Sequence, residues 1–257
     1  MKHSQSKANS TPSSYERCWV WTRILLHVIT GVCILFFILP FSSQAQKDRH
    51  IKQWSKRLLK IFHIQLQVVG ADKLVSTPYL MASNHISWLD IQVINAFKPV
   101  RFVAKSEVRA WPVFGWMASQ LGTVFIRRDS ARHARQVVDQ MAAVLKAESV
   151  CIFPEGTSTT GESVLPFKPN LFESAILAQA PVIPVAIAYR SCSTGLRSDA
   201  PAFIGEMGLV ESMSNVISNR DMEVYLSLLE PYLFSNAAIP DRKELALYCQ
   251  ESIAKTL

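Results

Sequence analysis

The stretch Ser83-Asn84-His85-Ile86-Ser87-Trp88-Leu89-Asp90 sets an imidazole and a carboxylate five positions apart. It follows a short apolar run, Tyr79–Ala82, that reads as a buried strand, and precedes Ile91–Asn95, which reads as the start of a helix. In α/β sheets, active-site groups sit where a strand ends and a helix begins. Positions five apart lie about 140° around a helix, so the two side chains cannot meet on one continuous helix face. With His85 in the turn and Asp90 in the first helical turn, the carboxylate can reach back to one ring nitrogen. It then fixes the tautomer and leaves the other nitrogen free to take a proton. A second reading stands beside this one. Ser87-x-x-Asp90 matches a capping box, which alone accounts for the aspartate.

Other polar groups follow short apolar runs. Val100–Ala104 reads as a strand ending at Lys105, and Thr123–Ile126 as one that delivers Arg127 and Arg128. Ser149–Phe153 reads as a buried strand running into Pro154-Glu155-Gly156-Thr157. Such strand ends lie along one edge of an α/β sheet and can converge with His85 and Asp90. Taken singly, the two arginines read as solvated surface and Glu155-Gly156-Thr157 as a plain turn. Cys151, in mid-strand, reads as a small apolar filler.

The elements that must hold these groups are legible in outline. Ile64–Val69 alternates and ends at Gly70, as a strand does. Ala134, Val137, Val138, Met141 and Leu145 keep helical spacing, and residues 170–180 read as a second helix. Val182–Ala188 is a hydrophobic strand in which Pro184 implies an edge, an end or a bulge. Residues 190–222 show little periodicity and read as loops, Glu223–Leu229 as a last strand, and Asp241-x-x-Glu244 as the cap of a C-terminal helix. Short strands alternating with helices predict an α/β fold, a mixed and largely parallel sheet flanked by helices.

Residues 1–17 read as a disordered polar tail, residues 18–62 as a hydrophobic anchor plus a basic amphipathic helix, and residues 63–257 as the catalytic domain. Ile24–Phe41 contains no Lys, Arg, Asp or Glu. As a helix it spans roughly 27 Å, close to a hydrocarbon core of about 30 Å. A membrane helix or re-entrant helical hairpin is the expectation, with a signal peptide and a buried core helix as rivals. Lys47–Lys60 is strongly basic, and Ile51, Trp54, Leu58, Ile61 and Phe62 share a helical face with Lys52, Lys56, Arg57 and Lys60 around the rest. That pattern fits a helix on a membrane surface, or an ordinary solvated helix packed on the domain.

With 27 basic and 20 acidic residues, the chain carries a formal charge of +7, which suits nucleic acid or an anionic membrane surface. It has no recognisable helix-turn-helix, RNP or zinc-finger pattern, so no nucleic-acid partner is expected. The five cysteines are scattered without C-x-x-C spacing, which implies no metal site and a reducing compartment.

Four blocks in order make the chain resemble the glycerolipid acyltransferases of the bacterial lysophosphatidic acid acyltransferase type. They are Asn84-His85-Ile-Ser-Trp-Leu-Asp90, Gly122-Thr-Val-Phe-Ile-Arg-Arg128, Phe153-Pro-Glu-Gly-Thr157 and Val182-Ile-Pro-Val185. The resemblance covers roughly residues 65–190. It implies acyl transfer from acyl-CoA or acyl carrier protein, as co-substrate and without a further cofactor, to the hydroxyl of a lysophospholipid. His85 would be the general base, oriented by Asp90. Asn84, Ser87, Lys105, Arg127, Arg128, Glu155, Gly156 and Thr157 would bind substrate.

The implied acceptor is 1-acylglycerol-3-phosphate, giving phosphatidic acid, at the inner membrane with the catalytic domain facing the cytoplasm. One position departs from the pattern: where members acting on that acceptor usually have arginine after F-P-E-G-T, this chain has Ser158. The Ser/Thr-rich version followed by Leu165-Pro-Phe167 looks like the lyso-ornithine lipid acyltransferase branch, which is the alternative. A non-catalytic protein that binds membrane lipid is the rival from another class. It requires neither His85 nor Asp90.

Overall fold

The computed structural model describes residues 12–126, 131–234 and 240–257. In chain order the elements are α1 (Ser14–Cys33), α2 (Gln44–Ile61), β1 (Ile64–Val69), β2 (Leu80–Ser83), α3 (Leu89–Phe97), β3 (Arg101–Lys105), α4 (Phe114–Gln120) and β4 (Val124–Ile126). They continue as α5 (Ala131–Leu145), β5 (Val150–Ile152), α6 (Glu173–Ala178), β6 (Val182–Arg190), α7 (Leu209–Ser218), β7 (Met222–Leu228) and α8 (Arg242–Ala254). The strands form one sheet in the order β1-β7-β6-β2-β5-β3-β4, antiparallel only between β6 and β7. The mixed, largely parallel sheet expected from the sequence is therefore present.

Both faces of the sheet are covered, which is why its central strands are apolar throughout. Leu80 and Ala82 of β2 join a core with α5, α6 and α8, while Met81 joins one with α1, α2, α3 and α7. Because β2, β3, β4 and β5 run parallel, their C-terminal ends share one edge of the sheet.

Three sequence expectations need correction. Residues 190–222 contain a helix, α7, whose Met213, Val216 and Ile217 are buried. Its N-cap is Gly208, without a side-chain cap bond, so no start signal marks it. Pro184 lies in a central strand, but β7 pairs with β6 only from Val185 onward. At Pro184 only the carbonyl is used, accepting Leu229 N–H at 2.9 Å, so the missing donor costs nothing. Finally, α1 starts at Ser14, inside the stretch read as tail, because Ser13 and Glu16 form a capping box.

The N-terminal helix continues through a π turn (Ile34–Ile38) and a 3-10 turn (Leu39–Phe41) before Ser42 reverses the chain. Within Ser14–Phe41 an 18-residue stretch reaches a mean hydropathy of 2.6, long and apolar enough to cross a membrane by length and composition. Its two faces differ. Val20, Ile24, Gly31, Leu35 and Leu39 are buried, while Trp19, Leu25, Leu26, Ile29, Phe36, Phe37 and Phe41 are exposed. The buried stripe packs on α2: Trp54 Nε1 donates to the His27 carbonyl at 3.1 Å, and the two rings stack at 4.3 Å. Gly31 permits this crossing, since a Cβ there would lie 2.7 Å from Trp54 Nε1. Glu16 is tied to Arg220 at 2.9 Å, so α1 lies along the domain from its first turn. The apolar stripe of α2 likewise faces inward, with Leu58, Leu59 and Ile61 buried and Ser55 bonded to Gln92 of α3 at 2.9 Å. Of the two readings of α2, packing on the domain describes its apolar face.

Candidate active site

β2 leaves the sheet at Ser83, opposite Val185, while β6 runs on to Arg190. Asn84 bridges the difference with its side chain. Its Nδ2 donates to the Ile187 carbonyl at 2.9 Å and its Oδ1 accepts Ile187 N–H at 2.8 Å. The amide thereby continues the sheet ladder while the Asn84 main chain turns away, and His85 begins the turn into α3.

Asp90, in the first turn of α3, is fully buried. Its Oδ2 accepts His85 Nδ1 at 2.8 Å, Ile86 N–H at 2.7 Å and Ser87 N–H at 2.9 Å. Its Oδ1 accepts the Tyr189 hydroxyl at 2.8 Å. The carboxylate holds the imidazole and takes the Ser87 N–H as a capping box would, but the box does not close: the N-cap of α3 is Trp88, and Ser87 Oγ accepts from Leu89 instead. Four donors compensate the burial of the Asp90 charge. A carboxylate only accepts, so Nδ1 carries the ring proton and Nε2 keeps a lone pair. The ring is part exposed and stacks on Phe153 at 4.1 Å, with Phe102 behind that ring at 6.2 Å.

The loop after β5 grips the main chain of His85 from both sides. Glu155 Oε1 accepts His85 N–H at 2.7 Å, and Thr159 N–H donates to the His85 carbonyl at 2.9 Å. Glu155 Oε2 accepts Leu165 N–H at 2.9 Å, which fixes the far side of the same loop. Gly161 (φ +75°) lets the loop lie against Ile86, whose Cδ1 would be 2.5 Å from a Cβ at that position. Ser158 Oγ donates to the Phe203 carbonyl, and Phe203 N–H donates to the Ile86 carbonyl at 2.9 Å.

Burial pushes the Glu155 carboxyl above its ordinary 4.5, against the opposing pull of its two N–H bonds. The native state then holds this proton more tightly than the unfolded chain. The group's contribution to stability is complete below 4.5 and is lost as pH rises through the native value. Replacing Glu155 with glutamine removes that dependence. In thermal melts at a series of pH values, the Tm advantage of the wild type over Glu155→Gln is expected to widen toward acid.

A cavity of about 490 Å³ opens beside His85, walled by Ile24, Val28, Leu35 and Trp54 of the two N-terminal helices and by Phe102, Trp111 and Met117 of the domain. Lys105, Gly156 and Thr157 also line it. The residues expected at the site therefore divide in two. His85, Lys105, Gly156 and Thr157 meet the cavity, whereas Asn84, Ser87, Asp90 and Glu155 are buried behind it. For Asn84 and Glu155 this corrects the expected substrate contact, because their polar atoms are engaged with main chain. Ser87 Oγ is buried too, accepting Leu89 N–H at 3.3 Å. Arg127 and Arg128 lie outside the described residues. Thr159 and Tyr189 join the site without having been expected from the sequence.

A part-exposed imidazole held by a buried carboxylate at the sheet edge, open on one side to an apolar cavity, has a build that suits acyl transfer. The chain belongs to the acyltransferase family, whose family model, described as "Acyltransferase", matches residues 65–188. It is 36% identical over 212 residues to the lyso-ornithine lipid O-acyltransferase of Pseudomonas aeruginosa, covering 82% of this chain and 79% of that one. It is 33% identical to the 1-acyl-sn-glycerol-3-phosphate acyltransferase of Neisseria meningitidis, covering 80% of each. Among solved structures, the 1-acyl-sn-glycerophosphate acyltransferase PlsC of Thermotoga maritima shares the fold, with a TM-score of 0.65 at 21% identity over 94% of this chain and 93% of that one.

Proposed function

We propose that this chain moves a fatty acyl group from a thioester donor, acyl-CoA or acyl carrier protein, to the free hydroxyl of a lysophospholipid. The acceptor we assign is 1-acylglycerol-3-phosphate, and the product phosphatidic acid. The observation that carries this reading is the Asp90-bound imidazole of His85 at the wall of the apolar cavity. Nε2 takes the hydroxyl proton as the oxygen attacks the thioester carbonyl. Asp90 stabilises the imidazolium, and the tetrahedral intermediate collapses by expelling the thiolate, which recovers the proton from Nε2. The acceptor supplies the nucleophile, so no acyl-enzyme forms. The cavity takes the acyl chain and excludes water, whose attack would give free fatty acid instead.

The exposed apolar face of α1 supports membrane association, and the packing of its other face supports a particular kind. A helix that lies along the domain enters one leaflet more readily than it crosses two. Lysines and arginines around α2 suit the anionic inner-membrane surface on the cytoplasmic side.

One observation favours lyso-ornithine lipid as the acceptor. At the position where phosphate-accepting relatives usually carry arginine, Ser158 is engaged with the Phe203 carbonyl and offers no cation. Purified protein in detergent, given labelled acyl-CoA or acyl carrier protein, tests both readings against the His85→Ala blank. Esterified product from lysophosphatidic acid is expected. Transfer to lyso-ornithine lipid alone would establish the second acceptor, and release of free fatty acid without ester would overturn acyl transfer.

A further inference from the structure

We infer that Tyr189 is a positioning residue of this reaction, its hydroxyl setting the orientation and basicity of the His85–Asp90 pair through the outer carboxylate oxygen. The inference rests on the reading of His85 as general base. Tyr189 stands on β6, two residues past the Ile187 main chain that Asn84 grips, on the face that packs over α3. Its ring is 1% exposed, and its hydroxyl donates to Asp90 Oδ1 at 2.8 Å. The other three donors to Asp90 all converge on Oδ2. Tyr189 is thus the donor that fixes the second oxygen, and with it the plane of the carboxylate that the imidazole must meet. A core-filling aromatic has no need of this geometry.

The hydroxyl stays protonated. Burial first, and the adjacent Asp90 charge second, push it well above its ordinary value. A donor that cannot ionise stabilises the carboxylate and lowers its pull on the imidazolium proton. Without that donor the pair becomes more basic and is protonated, hence inactive as a base, at higher pH. The titratable groups around the pair are Cys151, which interacts with the Asp90 charge, Glu155, which binds the His85 main chain, and Lys105 and His50, which line the same cavity as His85. None of them changes in the comparison below.

The test is the pH dependence of kcat/KM for Tyr189→Phe and for a protein carrying 3-fluorotyrosine at 189, which keeps the fold and is a stronger donor. Tyr189→Phe is expected to lower kcat about 10- to 100-fold, as loss of a hydrogen bond to a charged group implies. KM should barely move, and the acid limb should shift to higher pH. The fluorinated protein should shift that limb the other way. If both proteins keep the wild-type limb and kcat and differ only in Tm, Tyr189 is a packing residue and the inference fails. Activity retained by His85→Ala would instead remove the general-base reading itself, so the two failures are distinguishable.

Discussion

His85→Ala is expected to lower kcat by about 10²–10⁴-fold, the range a positioned general base supplies. The fold should survive. The ring is part exposed, and its main chain remains held by Glu155 and Thr159, whose contacts do not involve the side chain. Asp90 keeps the Ile86 and Ser87 N–H groups on Oδ2 and Tyr189 on Oδ1, so its charge stays compensated. The proposed membrane association rests on the exposed face of α1 and should be unchanged in vesicle flotation. A variant that keeps a tenth of the wild-type rate would defeat the base assignment. Imidazole added to the variant should recover part of the lost rate if the missing ring is a proton acceptor, and none if it only shaped the loop.

How much of this site the sequence carries depends on chain separation. His85 and Asp90 are five residues apart, within one turn, and both the dyad and the cap were legible there. Choosing between them was impossible because both describe the same oxygen, Oδ2. Glu155 was legible as a motif but not as a brace, since its partner lies 70 residues away. Asn84 with Ile187, and Tyr189 with Asp90, span 103 and 99 residues, and no local pattern reports such pairs. In the sequence Tyr189 is one more apolar residue at the end of a hydrophobic strand. The facing of α2 was undetermined for a similar reason. Its amphipathic pattern is real, but periodicity states only that one face is apolar, not whether lipid or protein covers it.

The ordered blocks of the sequence gain a physical meaning from these contacts. The first and third come from β2 and β5, adjacent parallel strands, and the Glu155 loop of the third closes around the His85 main chain of the first. The fourth block belongs to β6, on the other side of β2, whose later residues receive Asn84 and supply Tyr189. The imidazole is therefore aimed by both strands that flank its own. Its precision is a property of the sheet, not of the turn, and this accounts for polar residues so deeply buried in an apolar core.

Asp90→Asn separates the two functions of that carboxylate. An asparagine oxygen can keep the Ile86 and Ser87 N–H groups if its amide nitrogen takes the place of Oδ1. The Tyr189 hydroxyl must then reverse to accept. The turn survives with one reorganised bond, at a cost of about 1–3 kcal/mol, read as a lower Tm. Catalysis does not survive in the same way. A neutral amide cannot stabilise the imidazolium that forms when His85 takes the hydroxyl proton, although its oxygen in the Oδ2 position still accepts from Nδ1. The expected loss falls within that of losing the base, about 10²–10⁴-fold in kcat. Measured well below its melting temperature, the variant should be folded and nearly inactive. A variant that melts lower but turns over at close to the wild-type rate would mean that Asp90 serves only the cap. His85 would then need no partner to act, and the grip of four donors on this buried carboxylate would be a feature of folding alone.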